Sequence, residues 1–249
     1  MRPLADEIRP QTLEEVAGQK HLLGEGALLR RLIESGSETN LIFYGPSGTG
    51  KTTLANIIAK RTNKALYHLN ATTAGLQDVK DVIADVDTMM APNGILLYLD
   101  EIQYFNKKQQ QSLLEFLEDG RITLIASTTE NPYFYVYNAL LSRSSVFEFR
   151  AVTAKETLPA LKRGLNILNS ENGTNRTAED RVLAAMADIG AGDVRRALGV
   201  LENAYYAAGT PDSPITLELL QILVPSAMAA FDRDGDAHYD TLSALQKSI

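Results

Sequence analysis

The stretch Asn40-Leu-Ile-Phe-Tyr44-Gly45-Pro46-Ser47-Gly48-Thr49-Gly50-Lys51-Thr52-Thr53 decides how the rest of the chain is read. Leu41 to Tyr44 are apolar and β-prone, which predicts a buried strand. A glycine-rich turn follows, and Leu54 to Lys60 then carries apolar residues at helical spacing. Strand, G-x-x-x-x-G-K-T and helix is the P-loop in the context that its chemistry requires. Glycines let backbone N–H groups close around phosphate oxygens, and the helix N-terminus adds partial positive charge at the same spot. Gly45 to Thr53 is therefore the expected phosphate-binding segment. Lys51 supplies a point charge for the β- and γ-phosphates of a nucleoside triphosphate, and Thr52 an oxygen for Mg²⁺.

Downstream, Gly94-Ile-Leu-Leu-Tyr-Leu99-Asp100-Glu101 is a continuous apolar run that ends in two acids. Continuous rather than alternating apolarity implies burial on both faces, as in a parallel sheet. Acids at the C-terminal end of such a strand point to where ligands bind in open α/β sheets. This is a Walker-B pattern, with Asp100 placed for the Mg²⁺ shell and Glu101 placed to polarise an attacking water. A helix is expected over Asn106–Asp119, with Lys107 and Lys108 exposed at its start. Ile122–Ser127 reads as another buried strand, running into Thr128-Thr129-Glu130-Asn131-Pro132. Asn138–Arg143 reads as a short helix and Val146–Phe149 as the last strand.

Upstream, residues 1–25 read as an extended arm with a short helix at Thr12–Val16, and Leu22–Ser35 as an amphipathic helix. Ala65–Asn70 reads as a strand, and Thr72–Met90 as loop and then helix. From Thr153 four helical stretches follow, near 155–170, 178–189, 192–208 and 216–224. The pattern predicts an α/β domain followed by a small all-helical domain. Asp232-Arg-Asp-Gly235-Asp has the acids of a calcium loop, but its glycine comes too early for that spacing, so a linker turn is expected.

Composition excludes several classes. The chain has 249 residues with 45% apolar and 22% charged, enough for a real core and unlike a disordered chain. Its net charge of −7 argues against a generic DNA-coating protein. Any nucleic-acid contact would come from a local basic patch, repeated by oligomerisation. There is no cysteine, hence no disulfide or thiolate metal site. His21, His68 and His238 have no ligand spacing. No apolar run approaches the length of a membrane span, and Met1-Arg-Pro-Leu-Ala-Asp-Glu7 has no apolar signal core, so a cytoplasmic location is expected.

With these motifs in hand, the chain resembles the AAA+ ATPases, and among them the clamp-loader branch. The arm Leu4-Ala5-Asp-Glu-Ile-Arg9-Pro10-Gln-Thr-Leu-Glu-Glu-Val16-Ala-Gly18-Gln19 is similar to that branch's N-terminal signature. The resemblance implies that Ala5, Arg9, Pro10, Val16, Gly18 and Gln19 line the adenine pocket. Thr129 matches the sensor-1 position. Leu140-Leu-Ser142-Arg143 matches the S-R-C motif, whose arginine reaches the neighbouring subunit's ATP; Ser144 replaces its cysteine. Gly192-Asp-Val-Arg195-Arg-Ala-Leu198 matches sensor 2, which puts Arg195 on the nucleotide of its own chain. Lys80, Lys107 and Lys108 lie on helices whose equivalents in clamp loaders face the DNA channel.

Thr128-Thr-Glu130-Asn131-Pro132, Ala139-Leu-Leu-Ser-Arg143 and the terminal Gly235–Ile249 narrow the resemblance to the replication-associated recombination protein A (MgsA-like) family. It implies an AAA+ P-loop core with a parallel five-stranded sheet between helices (1–151), a small all-helical lid (152–229), and the start of a truncated oligomerisation region (230–249). It also implies a DNA-stimulated ATPase with ATP and Mg²⁺ at subunit interfaces, acting in fork maintenance and recombination. The implied partners are forks and single-strand/duplex junctions, further copies of the chain (a tetramer at full length), and a single-stranded DNA-binding protein. The implied location is the nucleoid. A clamp-loader small subunit of the archaeal type, binding ATP and hydrolysing it slowly, is the alternative. The bacterial clamp-loader motor subunit carries a cysteine zinc module that this chain lacks, and the branch-migration motor differs in its N-terminal arm and around sensor 1.

Overall fold

The computed structural model describes residues 3–225, apart from 38, 87, 119 and 121. The expected oligomerisation region at 230–249, with His238 and the acidic turn, lies outside the described residues. The chain packs as two units: Pro10–Ala151, and the residues up to Arg9 together with those from Val152 onward. The first helix, α1 (Leu4–Glu7), belongs to the second unit.

The first unit is built on five strands: β1 (Asn40–Tyr44), β2 (Ala65–Asn70), β3 (Ile95–Asp100), β4 (Ile122–Thr128) and β5 (Ser144–Glu148). Their order is β2-β3-β4-β1-β5 and all pairings are parallel. Its helices are α2 (Lys20–Leu23), α3 (Leu28–Glu34), α4 (Lys51–Thr62), α5 (Leu76–Ala84), α6 (Lys107–Glu118), α7 (Pro132–Tyr135) and α8 (Asn138–Leu141). Side chains alternate between two packed faces. Leu41, Phe43, Leu96 and Tyr98 pack with Leu29 and Ile33 of α3 and Leu54, Ile57 and Ile58 of α4. Ile42, Ile95, Leu97, Leu99 and Leu124 pack with Val79 and Val82 of α5, Leu113 and Leu117 of α6 and Leu140 of α8. Each fully buried Leu or Ile contributes about 1.5–3 kcal/mol. Two covered faces explain why β3 reads as an unbroken apolar run.

Two local expectations differ from the fold. The helix expected over Leu22–Ser35 is broken into α2 and α3 at Gly24-Glu25-Gly26. Gly26 sits at φ +77°, where a helix cannot continue, and a Cβ on Gly24 would lie 2.5 Å from the Lys20 carbonyl oxygen. The short helix expected at Thr12–Val16 is a run of bends and turns, anchored by the buried Leu13 and Val16. Among the elements not expected is α7, which starts where the Asn131 side chain accepts from the Tyr133 N–H and Pro132 fills the first turn.

The second unit consists of α1 with α9 (Ala154–Asn172), α10 (Asp180–Gly190), α11 (Val194–Ala207) and α12 (Leu217–Leu223). Thr153 and Glu156 form a reciprocal capping box that starts α9. A Cβ on Gly190 would meet the Ala197 Cβ at 2.9 Å, so glycine there lets α10 and α11 approach closely. Leu4 is fully buried in this core; its N–H donates to the Glu202 carboxylate at 3.3 Å, and Arg163 donates to the Ile8 carbonyl at 3.0 Å. These contacts move the first nine residues out of the α/β domain to which the sequence reading assigned them.

Candidate nucleotide site

The P-loop leaves β1 between β4 and β5. The Gly45 N–H donates to the Thr128 carbonyl at 3.2 Å, and the Phe149 N–H to the Tyr44 carbonyl at 2.7 Å. Gly45 has φ +134°, and a Cβ on it would lie 2.0 Å from the Phe149 carbonyl oxygen. Gly45→Ala is therefore expected to lower stability by more than about 1 kcal/mol. A urea melt midpoint unchanged from the parent's would contradict this. Lys51 is buried at the start of α4, and its Nζ donates to the carbonyls of Gly45 and Pro46, both at 2.7 Å. The Thr49 hydroxyl closes the loop by donating to the Pro46 carbonyl at 2.8 Å.

Strand register brings the other polar groups to this edge. Tyr98 and Asp100 are two apart on β3 and so share the α4 side of the sheet. The Tyr98 hydroxyl lies 3.1 Å from Thr52 Oγ1, 2.8 Å from Ser127 Oγ and 3.3 Å from Asp100 Oδ1. The Ser127 hydroxyl donates to Asp100 Oδ1. Burial, and secondarily the Asp100 charge, pushes the Tyr98 phenol pKa well above its ordinary value, so the hydroxyl keeps its proton. The donors here are hard oxygens, one hydroxyl and one carboxylate. Among the described residues no three His, Cys, Asp or Glu cluster to hold a metal. Few protein ligands supplemented by phosphate oxygens and water is how Mg²⁺ is commonly bound, so Thr52 and Asp100 fit that ion.

Glu101 follows directly on β3. Its backbone is left-handed at φ 56°, held by the 3-10 turn Ile102–Tyr104, whose Ile102 is fully buried. Such a conformation costs about 1–3 kcal/mol and persists where surrounding structure enforces it. Gln103 Nε2 donates to Glu101 Oε2 at 2.5 Å, and the Thr129 hydroxyl reaches the same oxygen at 3.5 Å. The other end of that amide, Gln103 Oε1, is buried without a hydrogen-bond partner.

The arm contributes Val16 and Gln19. A Cβ on Gly50 would lie 3.4 Å from Val16 Cγ1. The buried Gln19 amide donates to the carbonyls of Arg150 at 2.7 Å and Thr49 at 3.4 Å, and its oxygen accepts from the Arg150 N–H at 3.0 Å. Pro10 and Gly18 lie in the same unit; Ala5 and Arg9 lie in the helical unit, where Arg9 pairs with Asp6. Arg195 is exposed in the first turn of α11, after the Asp193 cap. Arg143 is exposed at the end of α8 and ion-paired with Glu118 at 2.7 Å. Lys80 is exposed on α5, and Lys107 and Lys108 on the first turn of α6, with Lys107 Nζ 5.4 Å above the Tyr137 ring.

Sequence reasoning missed Tyr98, Ser127 and Gln103. Tyr98 had a readable signal: a phenol in an apolar strand, on the same face as Asp100. Ser127 and Gln103 did not, since the β3–β4 register and the turn after Glu101 are tertiary facts.

Residues 41–152 match the family described as "ATPase family associated with various cellular activities (AAA)", and residues 172–249 match the AAA C-terminal domain. With the parallel sheet and its P-loop, these matches show that the chain carries an AAA ATPase domain followed by an AAA C-terminal domain. Over nearly its whole length it is similar to replication-associated recombination protein A. The identity is 39% with the Haemophilus influenzae protein, covering 99% of this chain and 56% of that one. It is 37% with the Escherichia coli K12 protein, covering 100% and 57%. An uncharacterized AAA domain-containing protein of Mycobacterium tuberculosis is 39% identical, covering 99% and 55%. The chain thus spans a little over half the length of these relatives. Its fold is similar to that of the Thermotoga maritima Holliday junction branch migration motor RuvB, with a TM-score of 0.69 and 23% identity over 90% of this chain and 72% of that one. Among the described residues no helix is long and apolar enough to cross a membrane.

Proposed function

We propose that this chain is the motor portion of a DNA-stimulated ATPase that works at stalled forks and recombination intermediates, as a homo-oligomer with ATP at its subunit interfaces. The observation that carries the reading is that Lys51, Thr52, Asp100, Glu101 and Thr129 follow the ends of neighbouring parallel strands on one edge of the sheet, where Thr52 joins Asp100 through Tyr98 and Thr129 reaches Glu101. Lys51 draws charge from the β- and γ-phosphates. Thr52 and Asp100 would hold Mg²⁺, which would supply positive charge to the same phosphates. Glu101 orients the attacking water and accepts its proton, with Thr129 beside it. Pro10, Val16, Gly18 and Gln19 of the α/β unit border the base. Arg143 serves the nucleotide of the next subunit. The full-length protein is a tetramer in this reading, works on the nucleoid in the cytoplasm, and meets single-stranded DNA-binding protein there. The relatives' names support the link to replication-associated recombination, and the AAA domain supports ATP as the substrate.

The deciding experiment is steady-state ATP turnover with and without primed or forked DNA. Turnover that rises with DNA is expected; turnover indifferent to every DNA form would refute a DNA-stimulated motor. Lys80, Lys107 and Lys108 are assigned to DNA phosphates. Every phosphate left without its lysine lowers the salt slope of binding by roughly one, so the triple alanine variant is expected to bind forks more weakly and with a shallower slope. Unchanged affinity and slope would retire these lysines.

A further inference from the structure

The four oxygens of Thr52, Tyr98, Ser127 and Asp100 form more than a set of close approaches. Each hydroxyl has one proton to give. Ser127 gives its proton to Asp100 Oδ1. Tyr98 lies nearer to Ser127 Oγ, at 2.8 Å, than to Asp100 Oδ1, at 3.3 Å, and donates to Ser127. Thr52 Oγ1, 3.1 Å from the phenol, then has one partner for its own proton among the described residues, the Tyr98 oxygen. The chain runs in one direction, Thr52 to Tyr98 to Ser127 to Asp100, and ends on a carboxylate, which fixes that direction. Every hydroxyl donates once and accepts once, except Thr52 at the head, whose lone pairs are turned away from the phenol. Tyr98 is 1% exposed and Ser127 0%, so no bulk water competes inside the chain.

We propose that Tyr98 is a positioning residue for the divalent cation: its hydroxyl takes the Thr52 proton, leaving the Thr52 oxygen to face Mg²⁺ as a pure acceptor in fixed register with Asp100. Tyr98 does not touch the nucleotide in this assignment; it acts through Thr52 and, by way of Ser127, through Asp100. Phenylalanine at this position would preserve packing against α4 but leave the Thr52 hydroxyl free to rotate and Ser127 Oγ without its donor. The inference rests on the nucleotide-site reading above and adds to it a residue that no P-loop or Walker-B pattern contains.

The test separates cation-dependent from cation-independent nucleotide binding. In the full chain carrying Glu101→Gln, affinity for a fluorescent ATP analogue is measured in EDTA and across a Mg²⁺ titration, with and without Tyr98→Phe. The expected result is a half-saturating Mg²⁺ concentration raised about tenfold, the size of one charge-linked hydrogen bond, with affinity in EDTA within about twofold of the parent. General loosening of the fold would weaken both arms together. Ser127→Ala, a smaller change that removes the middle of the chain, is expected to shift the Mg²⁺ requirement in the same direction and serves if Tyr98→Phe does not fold. A Mg²⁺ requirement unchanged in the folded variants, or a loss equal in EDTA and in Mg²⁺, would overturn the positioning role while leaving the nucleotide site standing. A parent chain that binds no nucleotide at all would remove that site, and this inference with it.

Discussion

Glu101→Gln is expected to bind ATP about as well as the parent and to lose turnover by a factor on the order of a hundred or more. The carboxylate bonds with Gln103 and Thr129, whereas Thr52 and Asp100 are tied together through Tyr98 and Ser127. Removing its charge therefore leaves the phosphate cradle intact. What is lost is the proton acceptor for water, which an amide cannot replace. Glutamine keeps the size of the side chain, so the strained turn at φ 56° has no new reason to relax. Single-turnover hydrolysis alongside equilibrium ATP binding gives the split. Near-normal turnover would move the water-activating role to another group. Weak binding would show instead that Glu101 helps to build the pocket.

Arg143→Ala is expected to cost more, about a thousandfold in turnover, provided the subunits are assembled. Here two effects compete for one guanidinium. In the isolated chain Arg143 pairs with Glu118, and both side chains are about half exposed, at 45% and 53%. Such a pair stabilises by about 0–1 kcal/mol. Contact with a developing γ-phosphate charge, at a thousandfold, corresponds to about 4 kcal/mol. The phosphate wins by a wide margin, so the Glu118 pair does not argue against a role in trans. Specific activity should then rise with protein concentration. Mixing Arg143→Ala with Glu101→Gln subunits should restore part of the turnover, because some interfaces join an intact Glu101 to an intact Arg143. Absence of rescue in verified mixed oligomers of a full-length protein would rule out the trans role.

The P-loop was legible because everything that makes it is contiguous: an apolar strand, glycines at fixed offsets and a helix start. β3 was legible for the same reason, and its two terminal acids lie on the edge where the parallel sheet presents β1 and β4 ends. What was not legible depends on register between distant strands. Nothing local tells that Ser127 stands beside Tyr98, or that Gln110 ties α6 to the segment after α7 by bonding Phe105, Tyr135 and Tyr137 backbone groups. The break at Gly24–Gly26 was missed for another reason. Leu22, Leu28, Leu29 and Ile33 keep helical spacing across it, and the apolar pattern outweighed the two glycines. The arm was read as one segment because its signature is contiguous, yet its first nine residues and the remainder pack in different units.

That division has a bearing on biosynthesis. The helical unit is discontinuous, with α1 at one end of the chain and α9 to α12 at the other, and the α/β unit is the insert between them. At about 5–20 residues per second, on the order of ten seconds separate the emergence of Leu4 from that of the helices that bury it. The insert needs nothing from either flank to complete its sheet and can fold during that interval. Leu4 and Ile8, both buried in the finished protein, have no helical core to enter until then. A fragment that starts at Val152 would leave their places in the helical core unfilled. Translation order thus makes the nucleotide-binding sheet the early product of this chain, and its helical unit the late one.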